Sequence, residues 1–231
     1  MLVVGALALA PTAIADPGGA AKPADPPPVT APGDPGAAAA PPATAPNTGG
    51  TAVPGGVSVS GLRAGSGSVV IREYIDMSSS ASGAAHQRIV ATLLSRVAAE
   101  GLGSISLRPL ITSTDLNSTE AGCAVLAAGK QNKAWDVTAA LFRAQAQGGD
   151  WVNPTVLKRL GGRIAGLKVS RFVNDARGPA NYSSLNAIRN EAKSAGVTVT
   201  PAFVVRGPSG TKLVARPDSA SAVIDAIKSV Q

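Results

Sequence analysis

Serines beside a histidine are the residues of this sequence that could do chemistry. Ser79 and Ser82 lie in residues 73–86, EYIDMSSSASGAAH, and His86 follows Ser82 by four positions. Side chains four apart share a helix face, so Ser82 and His86 could form the hydrogen bond that a serine hydrolase needs. Such an enzyme also needs a third orienting group and an oxyanion hole, which the segment does not provide. We therefore expect the serines to cap a helix and His86 to be a polar residue of its first turns.

The elements around these residues alternate between strand and helix. Residues 68–76 are rich in β-branched and aromatic side chains, which predicts a buried strand. Apolar spacing predicts a helix over residues 88–100, and a second strand follows over residues 104–111. The pattern of the remaining sequence predicts five helices, over residues 118–128 and 133–147, from Asn153-Pro154, around 167–173 and over 183–195. A hairpin with its turn at 207–210 and a helix over 218–230 follow them. This order predicts an α/β thioredoxin fold, βαβ plus ββα, with a helical insertion over about residues 112–182.

The chain contains three diagnostic segments in this order: VVIREYIDMSSSASGAAH, AGCAVLAAGKQNKAWDVTAALF and VTVTPAFVVRG. Together they resemble the DsbA-like branch of the thioredoxin superfamily, the exported thiol-disulfide oxidoreductases of bacteria. The first is similar to that family's first strand and active-site helix, the second to its inserted helices and the third to its cis-proline loop. The resemblance implies a cis bond between Thr200 and Pro201, in a loop that faces the active-site helix and pairs with the backbone of an extended substrate.

Serines stand where that family has its redox cysteines. The resemblance places the two cysteines at Ser79 and Ser82, so that Cys-x-x-Cys has become Ser79-Ser80-Ala81-Ser82. A hydroxyl cannot form a disulfide, because the exchange needs a thiolate. The single cysteine, Cys123, lies in an apolar part of the insertion, and we expect a buried thiol, with pairing to another chain as the alternative.

The resemblance without the cysteines predicts a non-covalent binding module for an extended peptide or an unfolded envelope protein, with a chaperone-like role. The alternatives are a serine-dependent thiol transferase or isomerase resembling kappa-class glutathione transferases, in which Ser79 would hydrogen-bond a thiolate, and the family's own oxidoreductase activity. No residue is assigned as catalytic, and neither a metal nor a cofactor is expected. The predicted binding groove consists of Met77, Ser79, Ser82, His86, Thr200 and Pro201.

The N-terminal part of the sequence predicts export. Residues 2–10, LVVGALALA, with Ala13 and Ala15 after them, are typical of a signal peptide over residues 1–15. Residues 16–56 hold eleven of the 18 prolines and predict a disordered tether. Residues 57–231 then form the folded domain of a secreted or cell-envelope protein, which would associate with a membrane only through an uncleaved signal segment.

Charge indicates the class of partner. The chain has a formal net charge of +7, and residues 57–231 carry 20 Lys and Arg against 11 Asp and Glu, or +9. This balance favours anionic partners such as acidic polymers or lipid head groups. Nucleic acid is not expected, because the basic residues are dispersed and the chain has only seven aromatic residues to interleave with them.

Overall fold

A six-stranded mixed sheet lies at the centre of the computed structural model, which describes residues 53–231. The order across the sheet is β1-β2-β4-β3-β5-β6. The strands are β1 (Val59–Ser60), β2 (Arg63–Gly65), β3 (Val69–Ile75), β4 (Gly103–Pro109), β5 (Ala202–Gly207) and β6 (Gly210–Ala215). β3 pairs parallel with β4 and antiparallel with β5, as a thioredoxin fold requires. The predicted signal segment, and the predicted tether up to residue 52, lie outside the described residues.

Seven helices accompany the sheet in residues 53–231. The first, α1, is continuous but alternates between α-helical turns, Ser80–Ala85 and Ala91–Leu93, and π-helical turns, His86–Val90 and Leu94–Ala98. The others are α2 (Leu116–Gly129), α3 (Ala134–Gln147), α4 (Pro154–Gly161), α5 (Val169–Ala176), α6 (Ala180–Ser194) and α7 (Ala220–Lys228). Each helix predicted from the sequence is present, and the predicted α/β fold with a helical insertion is confirmed.

The two faces of β3 pack against different helices because successive side chains of a strand point in opposite directions. Ile71 and Ile75 belong to the main hydrophobic core, which also contains apolar residues of α1, α2, α3 and α7. Tyr74 points to the other face, where it packs with Ile188 and Ala192 of α6. The sheet is therefore covered on both faces, and the residues of β3 are divided between two cores.

The insertion is packed directly onto α1. A β-carbon built at Gly83 would lie only 3.1 Å from a ring carbon of Phe142 in α3. This distance is shorter than ordinary van der Waals contact, so glycine at position 83 allows the aromatic ring to touch the helix backbone. The main core also contains the buried aromatic residues Trp135, Phe142, Trp151 and Phe203.

The β1–β2 hairpin was not predicted from the sequence. Its strands are two and three residues long, too short for a recognisable alternation of apolar and polar residues. It is stabilised by pairing with the sheet, since β2 lies antiparallel to β4 with Ala64 opposite Ile105. Because of the hairpin, β1 is the outer strand at this edge of the sheet, and β4 lies inside β2.

A charged cluster attaches α6 to the sheet. Oε1 of Glu191 accepts a hydrogen bond of 2.6 Å from the Tyr74 hydroxyl and one of 3.2 Å from Arg108 Nε. Arg72 Nε lies 3.1 Å from the same oxygen as an ion pair. Burial opposes ionisation of Glu191, but the Tyr74 hydrogen bond and the two guanidinium groups outweigh it and lower the pKa of this carboxyl group. Burial, with the Glu191 interaction, raises the pKa of Tyr74 well above its ordinary value.

We predict that Tyr74→Phe lowers the free energy of unfolding by about 1.5 to 3 kcal/mol, because it removes a buried hydrogen bond to a charged group. Urea denaturation measures the change. Tyr182→Phe is the matched control, since the Tyr182 side chain is 52% exposed and its hydroxyl can bond to water. Equal losses for the two variants would contradict a stabilising role for the Tyr74 hydroxyl.

Candidate functional site

The candidate site lies where β3 ends and β5 begins. Tyr74 of β3 is paired with Ala202 of β5 in antiparallel register. The residues that follow β3 and those that precede β5 therefore meet at the same edge of the sheet. The Thr200–Pro201 peptide bond, immediately before β5, is cis. This register brings the serine turn and the proline loop side by side.

Ser79 and Ser82 both have structural roles at the start of α1. Ser79 is the N-cap residue, and its hydroxyl oxygen accepts a hydrogen bond of 3.2 Å from the Ser82 N–H. The Ser82 hydroxyl oxygen accepts a hydrogen bond of 3.2 Å from the Asp76 N–H. The predicted capping by Ser79 is confirmed, while Ser82 closes the junction between β3 and α1 from within.

The Asp76 side chain organises the turn between β3 and α1. Its Oδ1 accepts hydrogen bonds from the Ser78 N–H, at 2.9 Å, and from the Ser118 hydroxyl. Its Oδ2 accepts bonds from the N–H and the hydroxyl of Thr112, at 3.0 and 2.6 Å. Burial would raise the pKa of Asp76, but these hydrogen bonds outweigh it and hold the pKa below its ordinary value. Asp76 is therefore a charged anchor that joins the turn to α2.

Two further contacts fix the turn at Ser78. The Ser78 hydroxyl donates a hydrogen bond of 2.7 Å to Oδ2 of Asp115, the N-cap residue of α2. Nε2 of Gln145, in α3, donates a bond of 2.7 Å to the Ser78 carbonyl oxygen. The N-terminus of α2 and the side chain of Gln145 in α3 thus hold the turn that presents Ser79 and Ser80.

A buried acid–histidine pair lies beneath the turn. Nδ1 of His86 is 3.0 Å from one carboxylate oxygen of Glu73 and 3.2 Å from the other, and both side chains are fully buried. The imidazole is stacked on Trp135 at a centroid distance of 6.0 Å and is tilted against Phe142 at 5.6 Å. Sequence reasoning did not identify this pair, although a glutamate in an otherwise buried strand was a signal that it needed a partner.

Burial corrects the predicted placement of three groove residues. Met77, Ser82 and His86 are fully buried, so they lie under the surface and do not line an open groove. A hydrolase based on Ser82 and His86 is excluded, because a substrate carbonyl cannot reach either side chain. Of the remaining predicted residues, Ser79 is half-buried, and Thr200 and Pro201 are buried.

The accessible surface of the site includes a leucine that sequence reasoning missed. Leu116 is 77% exposed and directly follows Asp115, whose carboxylate bonds to Ser78. Single exposed apolar side chains are common on protein surfaces, but Leu116 adjoins the residue that bonds to the serine turn. Its position at the start of an Ala-rich helix gave no sign that it would be solvent-exposed.

The backbone before the cis-proline has no partner within residues 53–231. Thr198, Val199 and Thr200 follow α6 and precede β5, and their N–H and C=O groups make no main-chain hydrogen bond there. Beyond Pro201 the backbone is paired again, since the Arg216 N–H donates a bond of 2.8 Å to the Pro201 carbonyl oxygen. Unpaired backbone N–H and C=O groups beside the start of a strand can pair with an added peptide strand.

Cys123 is buried, as predicted. Its side chain is 2% exposed and unpaired among the described residues. Burial, with a smaller effect from the charge of Glu120, raises the pKa of the thiol to about 11. A thiol of this kind has almost no thiolate at neutral pH and is a poor nucleophile.

Residues 53–231 contain neither a cluster of metal ligands nor a helix that could span a membrane. No group of three or more His, Cys, Asp or Glu side chains is arranged to hold a metal ion there. In the same range, no helix combines the length and the apolar character needed to span a bilayer.

Comparison with solved structures identifies the fold. A thioredoxin-like oxidoreductase from Silicibacter pomeroyi matches with a TM-score of 0.56 and 23% identity, over 74% of this chain and 90% of its own. DsbA2 of Pseudomonas aeruginosa matches with a TM-score of 0.59 and 21% identity, over 75% and 95%. Oxidised BdbD of Bacillus subtilis matches with a TM-score of 0.62 and 16% identity, over 72% and 90%. The fold is a DsbA-like thioredoxin fold.

The sequence comparisons add nothing to this assignment, since no protein-family model and no curated protein matches the chain. At these identities the similarity extends to the DsbA-like fold alone. The chemical activity of this chain therefore depends on the residues at its own site.

We predict that His86→Ala lowers the free energy of unfolding by about 3 to 5 kcal/mol, because it leaves the buried Glu73 carboxyl group without its partner. Chemical denaturation measures the loss. The double variant Glu73→Leu/His86→Leu should recover most of it, since an apolar pair buries no polar group. A double variant as unstable as His86→Ala would contradict the idea that the unpartnered carboxyl group causes the loss.

We predict that Asp76→Asn costs about 2 kcal/mol of stability at neutral pH, because an amide cannot accept the same set of hydrogen bonds. The low pKa of Asp76 in the folded protein stabilises the fold above the ordinary carboxyl pKa of about 4, and this contribution is lost as pH falls through the folded pKa. The difference between the variant and the wild type should therefore shrink in acid. Asp218→Asn is the control at an exposed site, and a difference independent of pH would contradict the prediction.

Proposed function

We propose that this chain binds an extended segment of peptide or unfolded protein without forming a covalent bond to it. The bound segment lies along residues 198–200 and passes the serine turn at Ser79 and Ser80, with Leu116 at the rim. We call this surface the peptide groove. The observation that carries the proposal is the unpaired backbone of residues 198–200 beside the serine turn.

Main-chain hydrogen bonding supplies affinity with little dependence on sequence. A peptide strand next to residues 198–200 would pair with N–H and C=O groups that have no partner within residues 53–231. The turn opposite is held by Asp76, Asp115 and Gln145, so binding does not require that side of the groove to be ordered first. A site that is already ordered loses less conformational entropy when a ligand binds.

Leu116 supplies an apolar contact on the second side of the peptide groove. Its side chain is exposed, whereas most of the large aliphatic residues of the described chain are buried. A leucine that becomes buried on binding contributes about 1.5 to 3 kcal/mol. Unfolded proteins expose apolar side chains that native proteins bury, so this contact favours them and supports a chaperone-like role.

The residues at the serine turn favour binding over redox catalysis. The chain has one cysteine, which is buried with a raised thiol pKa, and the accessible residues of the turn carry hydroxyl and methyl groups. The fold is compatible with the oxidoreductase activity named for its structural neighbours, but disulfide exchange needs an accessible thiolate. In a serine-dependent thiol transferase, the Ser79 hydroxyl would have to donate a hydrogen bond to a thiolate. The same oxygen would also have to accept the bond from the Ser82 N–H that caps α1.

An extracytoplasmic location fits this proposal. The apolar N-terminal segment and the proline-rich residues after it support export to the cell envelope. Proteins cross membranes in an unfolded state, so extended substrates for the peptide groove would be present there.

We predict that the full-length protein binds a fluorescent, carboxymethylated unfolded protein and that Leu116→Glu weakens binding by about tenfold or more, as expected for the loss of one buried leucine. Val199→Pro, which removes a backbone donor, should weaken binding as well. Fluorescence anisotropy measures both. Leu213→Glu is the matched control, because Leu213 is 41% exposed on β6 and is not part of the peptide groove.

The result that would refute the peptide groove is equal affinity for Leu116→Glu, Val199→Pro and the control. Insulin reduction by dithiothreitol tests the redox alternative in parallel, and the protein is expected not to accelerate it. Acceleration that disappears in Cys123→Ala would refute non-covalent binding as the main activity. Tight binding of glutathione that disappears in Ser79→Ala would favour the thiol transferase instead.

A further inference from the structure

Positive charge is concentrated in the second half of the insertion. Residues 151–174 contain five Lys and Arg and no Asp or Glu. They form α4, the turn after it and most of α5. The basic residues are dispersed along the sequence as a whole, but this subset of them shares one region of the structure.

The two short helices expose their cations and bury their apolar sides. In α4, Val156 and Leu157 are buried while Lys158 and Arg159 are exposed. In α5, Phe172 and Val173 are buried while Arg171 is exposed. The turn between the helices adds two more exposed cations, Arg163 and Lys168.

Contacts from the end of α2 bring another lysine to the same turn. Gln131 clamps the backbone of Lys168, accepting a bond of 2.9 Å from its N–H and donating one of 3.4 Å to its carbonyl oxygen. A β-carbon built at Gly166 would lie 3.7 Å from Nζ of Lys133. We call the surface formed by these cations the basic face: Lys133, Lys158, Arg159, Arg163 and Lys168.

Most of these charges have no internal counter-ion. Within residues 53–231, Lys158, Arg159, Arg163 and Lys168 form no salt bridge with a carboxylate. Lys133 reaches Asp136 only at 4.0 Å. The cations are therefore available to an external anion, and their mutual repulsion falls when one binds.

Half-exposed aliphatic side chains lie among the cations. Leu160, Ile164 and Val169 are partly buried against the core and keep part of their surface in solvent. The aromatic residues of this segment, Trp151 and Phe172, are buried, so no aromatic side chain here can stack on nucleic-acid bases. A surface that combines Lys and Arg with accessible aliphatic groups is typical of proteins that bind at a membrane interface.

We propose that the basic face docks this protein on the surface of an anionic lipid membrane. The cations attract the head groups, and Ile164 with its aliphatic neighbours enters the boundary between head groups and acyl chains. A soluble acidic polymer could satisfy the charges but would leave the aliphatic groups in water. The docking surface consists of α4, α5, the turn between them and the adjoining Lys133, and it is separate from the residues of the peptide groove.

The test uses the full-length protein and two triple variants that change net charge equally. Arg159→Gln/Arg163→Gln/Lys168→Gln removes cations from the basic face, and Lys193→Gln/Arg206→Gln/Lys212→Gln removes exposed cations elsewhere. Co-sedimentation is measured with vesicles of phosphatidylcholine containing phosphatidylglycerol and with phosphatidylcholine vesicles. Both variants retain the same N-terminal segment, so a difference between them reports the basic face alone.

The basic-face variant should bind the anionic vesicles on the order of 100-fold more weakly than the wild type at low salt, while the control loses little. Ile164→Ser should weaken vesicle binding several-fold without changing binding to polyglutamate. Equal losses for the two triple variants would refute the basic face. Vesicle binding that is unaffected by Ile164→Ser, and that polyglutamate abolishes by occupying the same cations, would refute a lipid partner.

Discussion

The geometry of the site depends on the hydrogen bonds that the Asp76 carboxylate accepts. It accepts hydrogen bonds from the turn at Ser78, from Thr112 after β4 and from Ser118 in α2. One charged group therefore joins the end of the central strand to the first inserted helix. The low pKa of Asp76 follows from the same donors that position it. The same hydrogen bonds keep Asp76 charged and hold it in place, and they fix the conformation of the serine turn.

Most elements could be predicted from sequence, but the β1–β2 hairpin and the contacts that define the site could not. Apolar spacing and turn residues gave the helices of the insertion and the β5–β6 hairpin, because these patterns are local. The Asp76–Ser118 bond joins residues 42 positions apart, and the Tyr74–Glu191 bond joins residues 117 apart. No local pattern encodes such pairings, which depend on how the layers pack.

Depth is the second property that the sequence did not reveal. Met77, Ser82 and His86 are close to the motif in sequence, and all three lie under the surface. Leu116 is far from the motif in sequence and lies at its rim. An alternating strand followed by a helix sends neighbouring residues to opposite sides of the backbone, so proximity along the chain does not indicate access to solvent.

The packing of α3 on α1 has a mechanical consequence. The same helix provides Trp135 and Phe142 around His86 and Gln145 on the Ser78 carbonyl oxygen. At Gly83, the Phe142 ring lies against the α1 backbone with no side chain between them. The insertion therefore cannot move away from α1 without breaking aromatic and hydrogen-bonded contacts together. A displacement of α3 would therefore also displace the serine turn.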